Sequence, residues 1–439
     1  MHPKALLDAC TELTRLLLRF EHPADSVVSK YFRDHRKTMD LGPRERNVLA
    51  ETVYNVLRQK SRFEHLAKSG TGVRERRLAI LGWAAHLDAQ ARQQQPQVKH
   101  GDRGFMKAAM SDLEFKWLTD CDAASDDDFL APHKHNLPPW LAEALQTQLG
   151  DNFWPLVNSL QQTAGLDLRV NTLLAKRADV SVQLQAAGIQ SVETPYSPWG
   201  LRLPTKPNIS KLALFEQGQI EVQDEGSQLL ALLVGAKRGE MVADFCAGAG
   251  GKTLALGASM RNTGRLYAFD TSAHRLDALK PRLARSGLSN IHPVAIAHER
   301  DERIKRLRGK MDRVLVDAPC TGLGTLRRNP DLKWRQTPEV VAELTAKQTA
   351  ILASAARLLK PGGRLVYATC SLLREENEMI ADAFSAAHPQ FKPLPVHGVL
   401  VADGVAQANS LCTPDGLYLR LWPHLHATDG FFAAAWVLS

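Results

Sequence analysis

Apolar residues in the first part of the chain recur every three or four positions between Lys4 and about His86. The spacing is regular from the start, since Leu6, Cys10 and Leu13 would fall on one face of a helix. Polar and charged residues, many of them Arg and Lys, occupy the positions between them. This pattern predicts an all-helical N-terminal module with a basic exposed surface.

The pattern changes twice between residues 89 and 228. Residues 89–135 are rich in Gln, Asp and His, and we interpret them as a mobile connector. Helical spacing returns over 136–169, after which short strand-like runs at 201–203 and 219–222 stand between turns that contain Pro or Gly. This part of the chain therefore predicts a small α/β subdomain.

From Gly239 onward, strand-like and helical patterns alternate. Such alternation is typical of a parallel sheet with helices on both faces, whose ligands bind at the carboxyl ends of the strands. The last two strand-like runs are predicted to form an antiparallel pair. The predicted strands are 241–246, 265–269, 313–316, 364–369, 417–421 and 431–437, and the predicted helices are 252–260, 274–286, 338–359 and 374–387.

Composition narrows the class of protein. Of the 439 residues, 44% are hydrophobic and 23% are charged, so we expect neither a membrane protein nor a disordered one. No apolar run reaches the roughly 20 residues of a membrane span, and the charges near the N-terminus exclude a secretory signal. We therefore expect a cytoplasmic protein, with a monomer as the default oligomeric state.

The cysteines and the net charge bear on chemistry and on partners. The six cysteines form no Cys-x-x-Cys pair and no disulfide framework, and the histidines lack the spacing of zinc ligands. We therefore expect free thiols and no bound metal. The net charge of +8 favours a polyanionic partner such as nucleic acid. The basic helical surface is explained as well by ordinary solvation as by contact with RNA.

A glycine-rich loop follows the first strand of the alternating region and opens a helix. Glycines let the backbone approach a ligand closely, and a helix N-terminus offers free N–H groups. The loop is not a dinucleotide loop, since Thr253 replaces the third glycine, nor a phosphate loop, since Cys246 replaces the first. Its candidate ligand-binding residues are Cys246, Ala247, Gly248, Ala249, Gly250, Gly251 and Lys252.

About twenty residues beyond the loop, Asp270 ends the second strand, the position of the ribose-binding carboxylate in dinucleotide folds. A carboxylate here can accept hydrogen bonds from both hydroxyls of an adenosine ribose, in a nucleotide or in S-adenosylmethionine. Asp270 or Thr271 could equally cap the following helix. The loop and this carboxylate leave a dehydrogenase and a methyltransferase open.

Two cysteines stand just beyond strands of the predicted sheet. Cys320 follows strand 313–316 and Cys370 follows strand 364–369, which places both thiols at the edge where the glycine loop lies. A single buried cysteine is usually a packing residue, but two near an adenosine site need a common explanation. Methylation of cytosine at carbon 5 offers one. A thiolate that adds to carbon 6 makes carbon 5 nucleophilic, a second group must help to release the product, and Asp317 could hold the amino edge of the base.

These motifs resemble those of the bacterial RNA (cytosine-5) methyltransferases of the Sun/Nop2 family, in particular the type that acts on small-subunit (16S) ribosomal RNA. The likeness rests on the glycine loop, Pro319-Cys320 and Thr369-Cys370. The other segments that carry it are 169–172, 222–228, 327–335 and 429–432, with a weaker likeness at 42–46 and 53–58. It implies a class I, Rossmann-like methyltransferase core in an α/β protein.

The resemblance also implies roles for single residues. Cys370 is expected to be the nucleophile and Cys320 to aid product release, with Asp317 and Lys252 taking part in catalysis. S-adenosylmethionine is the expected cofactor, held by the glycine loop together with Asp270 and Asp317. The residues expected to contact RNA are Arg169, Asn171, Arg327 and Arg328.

Two departures from the family pattern bear on the cofactor site. Gly248 and Ala249 stand where the family usually has Ala-Pro, which loosens the loop but keeps its backbone donors. After the third strand of the family's fold, where a Gly-Asp pair usually lies near the adenine, this chain has residues 296–301 instead. His298, Asp301 or backbone groups are therefore alternative candidates for the adenine contact.

The sequence thus predicts three domains: a helical RNA-binding-type domain with its connector over 1–135, a small α/β subdomain over 136–235 and a catalytic domain over 236–439. The expected activity is methyl transfer from S-adenosylmethionine to carbon 5 of cytosine in RNA, with small-subunit ribosomal RNA as the favoured target. The alternatives are a transfer RNA methyltransferase, a DNA cytosine methyltransferase that would leave Cys370 unexplained, and a non-catalytic RNA-binding assembly factor.

Overall fold

Helices form most of the chain up to Gln162 in the structure, a computed structural model that describes all residues Met1–Ser439. The helix Pro43–Arg58 shows why: proline needs no N–H partner in the first turn, and Leu49 and Val53 repeat at helical spacing on its buried face. This confirms the predicted N-terminal helices. The α-helices here are Pro3–Leu17, Ala24–Asp34, Pro43–Arg58, Lys60–Leu66, Arg74–Gln94, Gly104–Lys107, Asp112–Ala123, Ala131–His135, Pro139–Leu149 and Phe153–Leu160.

The chain divides into two compact units. The helical unit comprises Met1–Gln162 and Leu326–Gln336, and the sheet unit comprises Thr163–Thr325 and Thr337–Ser439. No helix in the protein is both long and apolar enough to cross a membrane. The three domains predicted from the sequence stay a prediction.

The interpretation of residues 89–135 as a mobile connector is wrong. They contain the helix Asp112–Ala123, whose Leu118 is buried in the core of the helical unit. Arg103 donates a hydrogen bond to Asp88 over 3.0 Å. Arg103 also donates to Asp122 over 3.3 Å. Polar residues of this stretch therefore form hydrogen bonds inside a packed unit, and polarity alone did not identify a linker.

A short segment of the second half of the chain packs in the helical unit. In the segment Leu326–Gln336, the Nζ atom of Lys333 donates to the carbonyl of Arg58 over 2.8 Å. The indole N–H of Trp334 donates to the carbonyl of Leu57 over 2.7 Å. Bonds to main-chain carbonyls at a helix end give this segment a defined place in the unit.

The first part of the sheet unit is a four-stranded antiparallel sheet with the order β2-β3-β1-β4. Its core contains Leu168, Val170, Leu201 and Ile220, and two of its strands fall on the strand-like runs predicted at 201–203 and 219–222. The strands are β1 Leu166–Val170, β2 Val192–Glu193, β3 Gly200–Leu203 and β4 Ile220–Val222.

A larger sheet with the order β10-β12-β9-β8-β5-β6-β7 follows, and β11 pairs with β12. Strands β9, β8, β5, β6 and β7 are parallel, whereas β10, β11 and β12 run antiparallel. This order confirms the predicted Rossmann-like fold, in which ligands bind at the carboxyl ends of the parallel strands. The strands are β5 Met241–Asp244, β6 Arg265–Asp270, β7 Ile291–Ala295, β8 Met311–Asp317, β9 Leu359–Thr369, β10 Phe391–Pro393, β11 Leu419–Leu421 and β12 Phe431–Leu438.

Helices alternate with the parallel strands, and most bounds lie within a few residues of the predicted ones. The predicted helix 374–387 is interrupted, because a single 3₁₀ turn at Arg374–Glu376 precedes the helix Glu378–Ala387. The helices after Gln162 are Arg177–Ala186, Ala213–Glu216, Glu225–Val234, Gly251–Ser259, Ala273–Ser286, Glu302–Lys305, Leu332–Arg335, Pro338–Ala356, Glu378–Ala387, Val396–Ala402 and Pro423–His426.

Candidate active site

The glycine loop joins β5 to the helix Gly251–Ser259. Gly250 is the N-cap of this helix and has a φ of 83°, in the left-handed region that favours glycine. A Cβ atom at Gly250 would also collide with the side chain of Leu279. At Gly248, with a φ of 56°, an added Cβ would meet no atom within 4 Å. The loop therefore packs against Leu279 at Gly250, whereas at Gly248 it faces open space.

Asp270 lies at the end of β6 and organises the glycine loop. One carboxylate oxygen accepts a hydrogen bond from the backbone N–H of Gly248 over 2.8 Å, and the other accepts from Ser272 N–H over 2.7 Å. The next helix is capped by the side chain of Ser272, so the capping role considered for Asp270 and Thr271 falls to their neighbour. The Asp270 carboxylate sits where the sequence placed it, at the sheet edge beside the loop.

Asp244, the last residue of β5, adds a carboxylate that the candidate residues did not include. Its side chain is 1% exposed, and one oxygen accepts a hydrogen bond from the Thr253 hydroxyl over 2.7 Å. The other oxygen is buried without a hydrogen-bond partner. Burial, followed by repulsion from Asp317 and Asp270, raises the pKa of Asp244 from 3.8 to about 7. The sequence did contain a signal for Asp244, because an acidic residue at the end of an apolar strand, just before a glycine loop, is a candidate ligand-binding residue.

Lys252 and Asp317 form an ion pair between the start of the loop helix and the end of β8. The Nζ atom donates to Asp317 Oδ2 over 2.7 Å, and the two side chains are 11% and 30% exposed. Burial lowers the pKa of Lys252, but attraction to Asp317, Cys370 and Asp244 outweighs it and leaves that pKa above 10.5. Lys252 therefore carries a positive charge at the sheet edge.

The two cysteines meet just beyond the ends of β8 and β9. The Sγ atoms of Cys320 and Cys370 are 3.4 Å apart, and the backbone N–H of Gly324 donates to the carbonyl of Cys370 over 2.8 Å. The hydrogen bond with Cys370 and burial raise the pKa of the Cys320 thiol well above its ordinary value. The predicted shared site is therefore present, with Cys320 held as a thiol.

Behind the two cysteines lies Glu376, which the sequence analysis did not single out. Its carboxylate is fully buried and accepts hydrogen bonds from the backbone N–H of Thr321 over 2.9 Å and from the Gln348 side chain over 3.0 Å. In the sequence, Glu376 stands between Glu375 and Asn377 in a polar run that reads as an exposed helix start. Only the fold turns this one carboxylate inward.

Arg169 and Asn171 do not face a substrate surface, which corrects their expected contact with RNA. The Arg169 guanidinium is 3% exposed and donates to Gln223 Oε1 over 2.5 Å and to the carbonyl of Gly251 over 2.6 Å. The Asn171 amide is also buried and donates to main-chain carbonyls, each over 3.0 Å. Both residues serve as supports, and Arg169 holds the first residue of the loop helix.

The structure gives less information about the roles of the remaining candidates, Arg327, Arg328 and Asp301. Arg327 and Arg328 are half-buried in the segment of the helical unit that follows Cys320, and Arg58 donates to the carbonyl of Arg327 over 3.2 Å. Their contact with RNA stays a prediction. Asp301 caps the helix Glu302–Lys305 and accepts hydrogen bonds from two backbone N–H groups, each over 2.9 Å. His298, Asp301 and backbone groups of this segment remain the candidates for the adenine contact.

Comparison with known proteins identifies the family to which this chain is similar. Residues 231–437 match the family described as 16S rRNA methyltransferase RsmB/F, and residues 137–210 match the ferredoxin-like domain of that group. A relative from Synechocystis, named "Probable ribosomal RNA small subunit methyltransferase B", is 36% identical over 69% of this chain and 66% of its own length, just under two thirds. A relative of the same name from Bacillus subtilis is 28% identical over 90% of this chain and 91% of its own.

A solved structure, that of PH0851, superposes with a TM-score of 0.76 at 28% identity, covering 100% of this chain and 99% of that one. The fold and the family match together identify a class I methyltransferase that uses S-adenosylmethionine. Within that class, the chain belongs to the RsmB/F family of 16S rRNA methyltransferases.

Proposed function

We propose that this enzyme methylates carbon 5 of a cytosine in 16S ribosomal RNA through a covalent adduct with Cys370. The observation that carries the proposal is the 3.4 Å separation of the Cys320 and Cys370 sulfurs, just beyond two neighbouring parallel strands. Methyl transfer to an oxygen or an amine needs no thiol. Activation of a pyrimidine ring needs one to attack, and release of the product benefits from a second.

The residues at the glycine loop fit S-adenosylmethionine. The backbone at Gly248 faces open space, and Asp270 stands at the strand end where it can accept from ribose hydroxyls. The unpartnered buried oxygen of Asp244 could accept a hydrogen bond from the amino group of the methionine part. When bound, S-adenosylmethionine supplies an electrophilic methyl group and leaves as S-adenosylhomocysteine.

The proposed reaction has two covalent stages. The Cys370 thiolate adds to carbon 6 of the cytosine, and the electrons displaced from the 5,6 double bond make carbon 5 nucleophilic enough to take the methyl group. The proton on carbon 5 then passes to solvent, the double bond forms again, and the Cys370 sulfur leaves with the electrons of its bond to carbon 6. Cys320 donates its S–H to the departing sulfur and so favours release.

The structure supports this division between the two thiols. The Cys320 and Cys370 sulfurs are within hydrogen-bond distance, and this contact is the largest cause of the raised pKa of Cys320. Cys320 therefore keeps a proton that it can donate to the departing Cys370 sulfur. Attraction to Cys370 is one of the causes that raise the pKa of Lys252, so a cation lies near the proposed nucleophile. Asp317, held by Lys252, would accept from the exocyclic amine of the cytosine.

The choice of RNA rests on the relatives and on charge. The relatives from Synechocystis and Bacillus subtilis carry ribosomal RNA in their names, and the net charge of +8 suits a polyanion. We further propose that the helical unit binds this RNA and that the enzyme acts as a monomer in the cytoplasm. Transfer RNA is the second candidate substrate.

Recombinant enzyme incubated with methyl-labelled S-adenosylmethionine tests the proposal when 16S ribosomal RNA, transfer RNA and duplex DNA are offered in parallel. We expect label in 16S ribosomal RNA alone, at one cytosine that bisulfite sequencing identifies. Label on a nitrogen or oxygen atom would overturn the chemistry, and label in transfer RNA would change the substrate. Cofactor binding without turnover on any RNA would favour the non-catalytic assembly factor.

A further inference from the structure

The buried carboxylate of Glu376 forms hydrogen bonds with the residues that directly follow the two cysteines. Glu376 accepts hydrogen bonds from the backbone N–H and the hydroxyl of Thr321, over 2.9 and 2.5 Å. It also accepts from the hydroxyl of Ser371. Thr321 follows Cys320 and Ser371 follows Cys370, so one side chain ties the two cysteine loops together.

Neighbouring side chains extend this connection to the other side of each cysteine. Gln348 donates both to Glu376 and to the carbonyl of Pro319, which precedes Cys320, each over 3.0 Å. The Asn377 side chain donates to the carbonyl of Ser371 over 3.0 Å and accepts a hydrogen bond from the hydroxyl of Thr369, which precedes Cys370. The residues on both sides of each cysteine therefore form hydrogen bonds with Glu376, Gln348 or Asn377.

The energetics favour a specific role for this carboxylate. Taking a carboxylate out of water is unfavourable unless hydrogen bonds replace its hydration, and Glu376, with 0% exposure, has four donors for that purpose. Displacement of reacting groups by about 1 Å can cost a hundredfold in rate. Because Glu376 connects the two cysteine loops, it can determine the distance between the Cys320 and Cys370 sulfurs.

We propose that Glu376 is a positioning residue, whose carboxylate holds the loops after β8 and β9 so that Cys320 lies against the Cys370 sulfur and can assist its departure. The proposal rests on the function proposed above for the two cysteines, but its geometric part stands without it. The hydrogen bond with Cys370 and burial are the largest causes of the raised pKa of Cys320, and repulsion from Glu376 is a smaller one. Glu376 thereby also helps to keep the assisting thiol protonated.

The variant Glu376→Gln tests the kinetic part, with Glu375→Gln as the matched control because Glu375 is exposed on the same turn. The glutamine amide keeps the size of the side chain but removes the charge and presents N–H groups to hydroxyl donors. We expect kcat on RNA to fall at least tenfold and enzyme bound covalently to RNA to accumulate on denaturing gels. The KM for S-adenosylmethionine should change less than twofold, and Glu375→Gln should match wild type in all three.

A purely structural role would give a different result. It would lower the melting temperature and weaken cofactor binding, with no accumulation of adduct and activity falling only with the folded fraction. That outcome, or a kcat within twofold of wild type, overturns the proposal. If Glu376→Gln does not fold, Ser371→Ala removes one donor to the carboxylate and should give the same accumulation to a smaller extent.

Thiol cross-linking tests the geometry without RNA or methyl transfer. Diamide accepts the two hydrogens of the Cys320 and Cys370 thiols as their disulfide forms, and peptide mass spectrometry measures the rate. We expect rapid cross-linking in wild type and Glu375→Gln, and cross-linking at least tenfold slower in Glu376→Gln. Equal rates overturn the positioning role. Slower cross-linking in an enzyme that methylates no RNA would uphold it and reject the proposed function.

Discussion

Asp244 should make the stability of the sheet unit depend on pH, and Asp244→Asn should remove that dependence. The carboxyl is 1% exposed at the end of β5, and burial raises its pKa from 3.8 to about 7. A pKa raised by folding means that the folded state binds the proton more tightly than the unfolded state. The stabilisation is therefore complete below the unfolded pKa and is lost as pH rises through the folded pKa.

The magnitude follows from these two pKa values. A difference of about three pKa units is worth about 4 kcal/mol, because each unit corresponds to about 1.4 kcal/mol. Between pH 5 and pH 8 the wild type should lose roughly 2 to 3 kcal/mol of unfolding free energy through this group alone. Asparagine resembles the protonated acid and cannot ionise. The unfolding free energy of the variant should therefore rise by roughly 2 to 3 kcal/mol relative to that of wild type between pH 5 and pH 8.

Urea unfolding followed by circular dichroism, without cofactor, at half-unit steps from pH 5 to 8, measures this difference directly. Subtracting the wild-type curve from the Asp244→Asn curve cancels the titration of all other groups. Asp179→Asn, an exposed residue of the same unit, is the control and should run parallel to wild type. Curves for wild type and Asp244→Asn that stay parallel within about 0.5 kcal/mol, well below the shift expected from linkage, would refute the reasoning.

Three further predictions concern the reaction and the loop. Cys370→Ala should abolish methylation and adduct, whereas Cys320→Ala should leave enzyme trapped on RNA in denaturing gels; full activity of Cys370→Ala would reject its role as nucleophile. Lys252→Met should lower the unfolding free energy by about 3 kcal/mol, since it leaves a partly buried carboxylate unpaired; a urea midpoint equal to that of wild type would contradict this. Gly250→Ala should weaken S-adenosylmethionine binding more than tenfold by calorimetry, while Gly248→Ala, strained but unobstructed, should weaken it less. Equal effects would show that the collision at Gly250 is unimportant.

The charged groups at this sheet edge differ between the part near Cys370 and the part beside the glycine loop. Lys252 neutralises Asp317 and attracts negative charge at Cys370, while Asp244 and Asp270 lie beside the glycine loop. A cation therefore lies near Cys370, and carboxylates lie beside the glycine loop. A sulfonium cofactor and a thiolate would each meet the opposite charge.

The sequence by itself determined most strands of the larger sheet, the fold class and the edge at which the site lies, although β7 and β10 were not predicted. Strands and helices differ in hydrophobic period, and the chain direction of a parallel sheet brings every carboxyl strand end to one edge. From this alone, Cys320, Cys370 and Asp270 could be predicted to lie near the glycine loop. The family motif added the order in which the two cysteines act.

Only the tertiary structure decided which polar residues face inward. Arg169 looked like an RNA contact but is buried against the loop helix, and Glu376 looked exposed but ties the cysteine loops together. The polar stretch 89–135 looked like a linker but packs as helices. Polar side chains gain or lose their role through partners distant in sequence, because burial is tolerated only where those partners complete their hydrogen bonds. A local pattern cannot contain that information, and the folded chain does.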